Sequence, residues 1–267
     1  MDSLSAIIYG LIQGITEFLP VSSSGHLALL PHFLTIKDPG VLFDLAMHVG
    51  TALSIVIYFR KEVILILHDL VSIIRSPQSY KKECAWTTNM IVATFVTFGV
   101  VLCLKSFAEE YAREAKWISI NLIVFGLLMF FADRKGKKTE TKLMGEFTLK
   151  RSILIGFSQA LAIFPGVSRS GATLTMARFL GLGREESTRF SFLLSLPIIL
   201  AGFFYKLPSL LNDSALFDWS ACLTGMGVSF IVGLVTIHYF LKLIKKIGLG
   251  VFTLYRIVLA VFVLNFL

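Results

Sequence analysis

The sequence predicts an all-α integral membrane protein: six full transmembrane helices and two re-entrant helical hairpins in an inverted-topology repeat. Three observations carry that prediction. Of 267 residues, 55% are hydrophobic and 16% charged, with a mean hydropathy of +0.78; a water-soluble domain carries roughly 25% charged residues. A short apolar arm, a Pro/Gly break and a second short arm occur both at the start of the chain and near its middle. The two breaks also resemble each other: shifted by 146 positions, Gly10, Gln13, Phe18, Val21, Ser22, Ser24 and Gly25 fall on Gly156, Gln159, Phe164, Val167, Ser168, Ser170 and Gly171 without a gap.

Taken in order, residues 1–34 give an apolar arm, a break over 20–25 and a second arm ending near Pro31. Each arm has ~15 residues or fewer, about 22 Å at helical rise, against a hydrocarbon core of roughly 30 Å. A re-entrant hairpin fits this better than two spans. Six longer runs follow, at about 41–59, 88–104, 117–132, 187–205, 219–241 and 250–267, and residues 151–182 repeat the short–break–short pattern between the third and fourth. The chain is then one membrane domain over 1–267, with a first repeat over 1–132 (hairpin 1–34) and a second over 151–267 (hairpin 151–182). Met1-Asp2-Ser3 lacks the basic start of a secretory signal, so the first run is expected to be mature structure.

The net charge of +8 resides mostly in connections between apolar runs, which points to positive-inside topology and not to a nucleic-acid partner. Residues 60–82 hold five Lys or Arg, 134–151 hold seven and 242–246 hold three. Residues 105–116 balance three bases against three acids, and 206–218 have one base and two acids. Placing the first three stretches in the cytoplasm and the last two outside makes the first hairpin enter from outside and the second from the cytoplasm. Three spans per half turn the second half upside down, so two broken elements meet near the midplane. Cys84, Cys103 and Cys222 are isolated and imply neither disulfides nor a zinc site.

The breaks carry the chemistry. After Pro165 and Gly166 come Ser168, Arg169, Ser170, Gly171 and Thr173: hydroxyls, amides at a helix start and a guanidinium, groups that suit phosphate. Irregular polar backbone at membrane depth is tolerated only where it is buried in protein or lines a wet cavity. The first copy divides the labour differently. Glu17 stands opposite Ile163, Ser23 opposite Arg169 and His26 opposite Ala172.

Each of these residues has a functional and a structural reading. An intramembrane Glu17 is a functional-site candidate, or a hydrogen-bonded acid fixing the fold; Gln13, one turn earlier, shares its face. Ser22, Ser23, Ser24, Gly25 and His26 combine a nucleophile with a general base, or a hydroxyl cradle with a general acid, or else a helix cap with His26 packed beside it. Arg169 grips an anion or pairs with Glu17 or Asp44. Asp44 and His48, at i and i+4, are supporting partners or metal ligands, and oxygen-rich ligation favours Mg²⁺ or Ca²⁺ over zinc. Arg178, Arg184 and Arg189 are read as positive-inside charges at the mouth of the second hairpin.

Gln13-x-x-x-Glu17 followed by Pro20-Val-Ser-Ser-Ser-Gly-His26, together with Pro165-Gly-Val-Ser-Arg-Ser-Gly-Ala-Thr173, resembles the bacterial undecaprenyl-diphosphatase, or bacitracin-resistance, family over nearly the whole chain. That resemblance implies a phosphatase in the bacterial inner membrane that converts undecaprenyl diphosphate to undecaprenyl phosphate and phosphate, recycling the lipid carrier of cell-wall synthesis. It also implies a catalytic set of Glu17, Ser23, His26 and Arg169, with Ser23 as nucleophile or phosphate-binding serine. Ser22, Ser24, Gly25, Ser168, Ser170, Gly171 and Thr173 would bind the diphosphate, and Glu17 with Gln13 would hold a divalent metal. Gln13 stands where many members have Glu, which removes one anionic ligand. The rival reading is an inverted-repeat transporter or flippase of a prenyl-phosphate lipid.

Overall fold

The computed structural model describes residues 2–33, 40–76, 84–111, 114–136, 148–212 and 218–266. Lys81, Lys82, Arg113, Lys137, Lys138, Lys142 and Asp213, which enter the loop-charge count, lie outside them. Among the described residues the chain is wholly helical. The first half comprises α1 (Ser3–Thr16), α2 (Ser23–Phe33), α3 (Val41–Tyr58), α4 (Arg60–Arg75), α5 (Ala85–Tyr111) and α6 (Ala115–Lys135). The second comprises α7 (Leu149–Ala160), a 3₁₀ turn (Leu161–Ile163), α8 (Arg169–Phe179), α9 (Arg184–Asn212), α10 (Trp219–Ile247) and α11 (Gly250–Phe266).

Among the described residues four helices, α5, α6, α9 and α10, are long and apolar enough to cross a membrane, and α3 with α4 makes a fifth candidate bent by 88°. The α11 helix falls just short at 17 residues. Their outward faces are greasy: Phe95, Leu102, Ile231 and Leu254 are each more than half exposed, a surface that suits lipid. The protein is a multi-pass membrane protein. Residues 60–75, which the charge pattern assigned to a connection, are helical instead. The α4 helix buries none of its residues and exposes Ile64, Leu65 and Leu67 beside Arg60, Lys61 and Glu62. That amphipathic composition suits a helix lying along a membrane surface.

Both breaks fall where Pro and Gly place them. The α1 helix is capped by Asp2, which accepts from the Ser5 amide at 2.8 Å, and it ends before Pro20. The α7 helix runs into the 3₁₀ turn and ends before Pro165. Packing between the halves is reciprocal: α1 lies on α10, α7 on α5, and α6 pairs with α11. Gly10 allows the α1–α10 approach, since a Cβ there would strike the Gly225 carbonyl and Val228; at Gly156 it would strike the Ala93 carbonyl and Val96 of α5. Polar clasps reinforce these seams: Ser54 donates to the Phe230 carbonyl at 2.7 Å and Thr97 to the Gly156 carbonyl at 3.0 Å.

At the far end of the second hairpin, Asp133 of α6 takes both Arg184 contacts (2.8 and 2.7 Å), Arg178 at 3.3 Å and the Leu249 amide at 3.0 Å. Arg189 pairs with Glu62 at 3.0 Å and with Glu185 at 3.1 Å. The arginines read from sequence as topology signals are therefore also engaged in ion pairs that bind α4, α6, α8 and α9 together.

Candidate active site

The two breaks meet through their serines. Ser22 and Ser168 are the only non-glycine residues with positive φ among the described residues, at 77° and 70°. Such backbone costs about 1–3 kcal/mol per residue unless its surroundings hold it. Here each serine caps the helix that follows: Ser22 Oγ accepts from the Gly25 amide at 3.3 Å and Ser168 Oγ from the Gly171 amide at 3.1 Å. Ser22 Oγ also accepts from the Gly166 amide across the repeat at 3.1 Å. Gly166, at φ 91°, has no room for a Cβ, which would meet the Ile118 carbonyl. The N-termini of α2 and α8 thus start side by side, and the positive ends of two helix dipoles face one place.

A cavity of about 400 Å³ opens there, and Glu17, Ser23, Ser24, His48, Ser168 and Arg169 are among its lining residues. Glu17 is the hub and is 6% exposed. Its Oε1 pairs with Arg169 Nη2. Its Oε2 accepts from Gln13 Nε2 at 2.9 Å and from the Ser23 hydroxyl at 2.7 Å, and stands 3.5 Å from His48 Nε2. Arg169 Nη1 donates to the Ser195 carbonyl at 3.3 Å, just before Pro197 of α9. Asp44 lines the same cavity and its carbonyl meets His48 Nδ1 at 2.7 Å, so that imidazole is aimed at Glu17.

The other sequence candidates lie around this hub. Ser22 is fully buried and holds the breaks together instead of lining the cavity, and Gly25 is buried behind it. Ser170 sits in a smaller crevice with Glu17 and Arg169, its hydroxyl 3.3 Å from that of Ser168. Gly171 packs beneath Ser168. The Thr173 hydroxyl is spent on the Arg169 and Ser170 carbonyls at 2.9 and 3.2 Å and on Ser191. His26 is turned to another face. Its Nδ1 bonds the Ser22 carbonyl at 2.8 Å, so that nitrogen carries the proton, and Nε2 accepts from Tyr255 at 2.7 Å. The proton acceptor beside Ser23 in this structure is accordingly Glu17.

Sequence reasoning missed the clamp behind the breaks. Arg256 of α11 is fully buried. It donates to the Pro20 carbonyl at 3.2 Å, to those of Gly166 and Val167 at 2.6 and 3.1 Å, and to those of Leu122 and Asn121 at 3.0 and 3.4 Å. Asn121 of α6 also donates to the Pro165 carbonyl at 2.9 Å. A signal was present: Arg256 is the one charged side chain in α11, and an intramembrane arginine marks a site by default.

Among the described residues no three His, Cys, Asp or Glu side chains are gathered as a metal cage. Magnesium, however, commonly uses one or two carboxylates and takes its remaining oxygens from phosphate and water. Glu17 and Asp44 line the cavity, and Gln13 keeps a buried side-chain oxygen without a hydrogen-bond partner. That donor set fits an oxygen-ligated divalent cation completed by substrate.

Comparison with known proteins agrees with the motifs. Residues 6–262 match the family described as Bacitracin resistance protein BacA. The chain is 44% identical over 259 residues to the undecaprenyl-diphosphatase of Saccharophagus degradans, covering 97% of this chain and 96% of the relative. Identity to the undecaprenyl-diphosphatase of Marinobacter nauticus is 40% over 261 residues, covering 97% of each. That of Colwellia psychrerythraea is 41% identical over 274 residues, covering 100% of each. With a match of this length, and with both breaks carrying their hydroxyls and charges into one cavity, the chain belongs to the bacitracin resistance protein family.

Proposed function

We propose that this protein is an undecaprenyl-diphosphate phosphatase, releasing phosphate from the diphosphate lipid and returning undecaprenyl phosphate for cell-wall synthesis. The observation that carries the reading is the Ser23–Glu17–Arg169 arrangement in one cavity at two helix N-termini. Phosphoryl transfer needs charge on the phosphate oxygens neutralised and an attacking group held in line. An incoming diphosphate competes with Glu17 for Arg169, whose planar fork suits two phosphate oxygens. Glu17, released from that pair, takes the Ser23 proton. Ser23 Oγ bonds the terminal phosphorus as the bond to the bridging oxygen breaks, and undecaprenyl phosphate leaves. Water then attacks the phosphoserine, one of its protons passing to the serine oxygen and the other staying on the phosphate; phosphate departs, and Glu17 releases the proton it took from Ser23 to solvent as it pairs again with Arg169. Ser24, Ser168 and Ser170 supply further donors to phosphate, while Ser22, Gly25, Gly171 and Thr173 hold the two breaks in register. His26, with its tautomer fixed between Ser22 and Tyr255, steadies the start of α2. A divalent cation, when bound, would neutralise charge on the phosphate oxygens; Glu17, Asp44 and Gln13 would hold it.

The test uses purified protein in detergent, where vectorial transport is impossible. Phosphate release from undecaprenyl diphosphate is expected, with Ser23→Ala slower by at least about 100-fold, as for loss of a nucleophile. Binding without any phosphate release would favour the flippase instead.

The finer architecture is part of the same reading: six spans and two re-entrant hairpins in inverted repeats, over 1–132 and 151–267, with the cavity open to the outside of the inner membrane. It draws support from the reciprocal packing and from the loop charges. In a background with the native cysteines replaced by serine, Asp218→Cys should react with an impermeant maleimide on intact cells and Lys135→Cys should not. The reverse pattern overturns the orientation.

A further inference from the structure

Gln13 and Gln159 occupy matching positions in the two repeats, 146 residues apart, and the fold uses them differently. Gln13 Nε2 donates to Glu17 at 2.9 Å. In the second copy Ile163 stands where Glu17 does, and Gln159 Nε2 turns to Thr97 Oγ1 of α5 at 3.0 Å. That contact fixes which way the amide points. The Thr97 hydroxyl gives its own proton to the Ala93 and Gly156 carbonyls, at 2.8 and 3.0 Å, so toward Gln159 it can only accept. Gln159 therefore presents its NH₂ to Thr97, and its Oε1 lies on the other side. That oxygen is buried without a hydrogen-bond partner among the described residues. The side chain is 2% exposed and lines the cavity that holds Glu17, Ser23 and Arg169. A buried acceptor left unmet costs about 1–3 kcal/mol, and such a group in a polar cavity calls for an explanation.

We infer that Gln159 is a catalytic residue whose Oε1 accepts a hydrogen bond from the water that attacks the phosphoserine. The inference rests on the phosphatase reading above and deepens it. The chemistry of the acceptor selects its ligand. A carbonyl oxygen repels the anionic oxygens of a phosphate, so Gln159 is no part of the grip that Arg169 and the helix N-termini supply. It needs a donor, and water is the reactant that brings two O–H groups. A cation is a poorer match, because Gln13 has the Glu17 carboxylate beside it whereas Gln159 has Ile163 one turn on. The cavity, of about 400 Å³, has room for several waters beside a phosphate, at ~30 Å³ for each water. Ser23 enters it from the first hairpin and Gln159 from the second. The serine leaving phosphorus and the water arriving there are thus held by different halves, which suits in-line displacement. In this step the water oxygen bonds phosphorus as the bond from phosphorus to Ser23 Oγ breaks. One water proton passes to Oγ and the other stays on the phosphate; Gln159 orients the water and exchanges no proton.

Gln159→Met tests this, since it removes the amide and nearly keeps the volume. Rapid-quench measurements in detergent with undecaprenyl diphosphate follow undecaprenyl phosphate and inorganic phosphate separately, and lipid affinity is measured alongside. The variant should release about one equivalent of undecaprenyl phosphate at the parent's rate, then turn over about 100-fold more slowly than the parent, the size of effect a misplaced reactant produces. Phosphoserine should be recoverable at Ser23, with lipid affinity unchanged. An amide that serves structure alone would weaken binding or slow both steps together without a burst, and either result overturns the proposal. Unchanged steady turnover overturns it as well. So does recovery on adding Mg²⁺, which would make Gln159 a cation ligand. A parent that binds the lipid without releasing phosphate overturns the phosphatase reading and this inference with it. A parent that turns over beside a variant without a burst overturns this inference alone.

Discussion

Replacing Arg169 with lysine is expected to lower turnover about 100-fold, comparable to removing a preorganised donor from a transition state, with the protein still inserted and folded. Lysine keeps a cation beside the buried Glu17, so the pair survives. It loses the planar fork that here reaches Glu17 through one nitrogen and the Ser195 carbonyl through the other. A point charge on a flexible stem cannot hold two phosphate oxygens at fixed angles. Arg169→Met is a blunter change, because stranding one partner of a buried pair costs about 3–5 kcal/mol, and it would confuse folding with chemistry. The lysine variant should therefore show a normal thermal midpoint and a low kcat. Near-normal turnover would make Arg169 a structural partner of Glu17 and nothing more.

Substitution of Arg256 should produce a large stability loss. The guanidinium is fully buried and forms no ion pair among the described residues; its donors go to backbone carbonyls of both breaks and of α6. The carbonyls of Pro20, Gly166 and Val167 lie outside regular helix, so Arg256 supplies donors that no helix of their own provides. Arg256→Met leaves several unpaired at ~1–3 kcal/mol each. A net loss of about 3 kcal/mol would lower the midpoint by roughly 6–12 °C for a chain of this size. Arg256→Lys keeps three donors and should fall between the two. Thermal melts in detergent, followed by intrinsic fluorescence, decide the matter. A Met variant melting within about 2 °C of the parent would remove Arg256 from the account of how the breaks are held.

Much of this was legible in the sequence, because the signals are local. A proline and a glycine break a helix wherever the chain goes, so the interruptions before α2 and α8 were fixed by Pro20, Pro165 and Gly166. The self-match around Ser22 and Ser168 pointed to one element used twice, and both serines adopt the same left-handed backbone. Intramembrane Glu17 and Arg169 announced themselves by their cost, and they meet. The α4 helix was hidden because its charges mark a loop as readily as one face of an amphipathic helix; only the turn at Phe59 distinguishes them.

By itself, then, the sequence determined the membrane class, the position and kinship of the two breaks, and the set of groups brought to them, since each follows from composition or from a few adjacent residues. Tertiary structure decided which group faces which. Ser23 turns to Glu17 six residues away, whereas His26 turns to Tyr255, 229 positions further along the chain. Arg256 reaches Pro20 across 236 positions and joins it to Gly166 of the other half. These pairings depend on how α11 and α6 pack behind the breaks. Packing sums many weak contacts between distant segments, and no short stretch of sequence carries that sum.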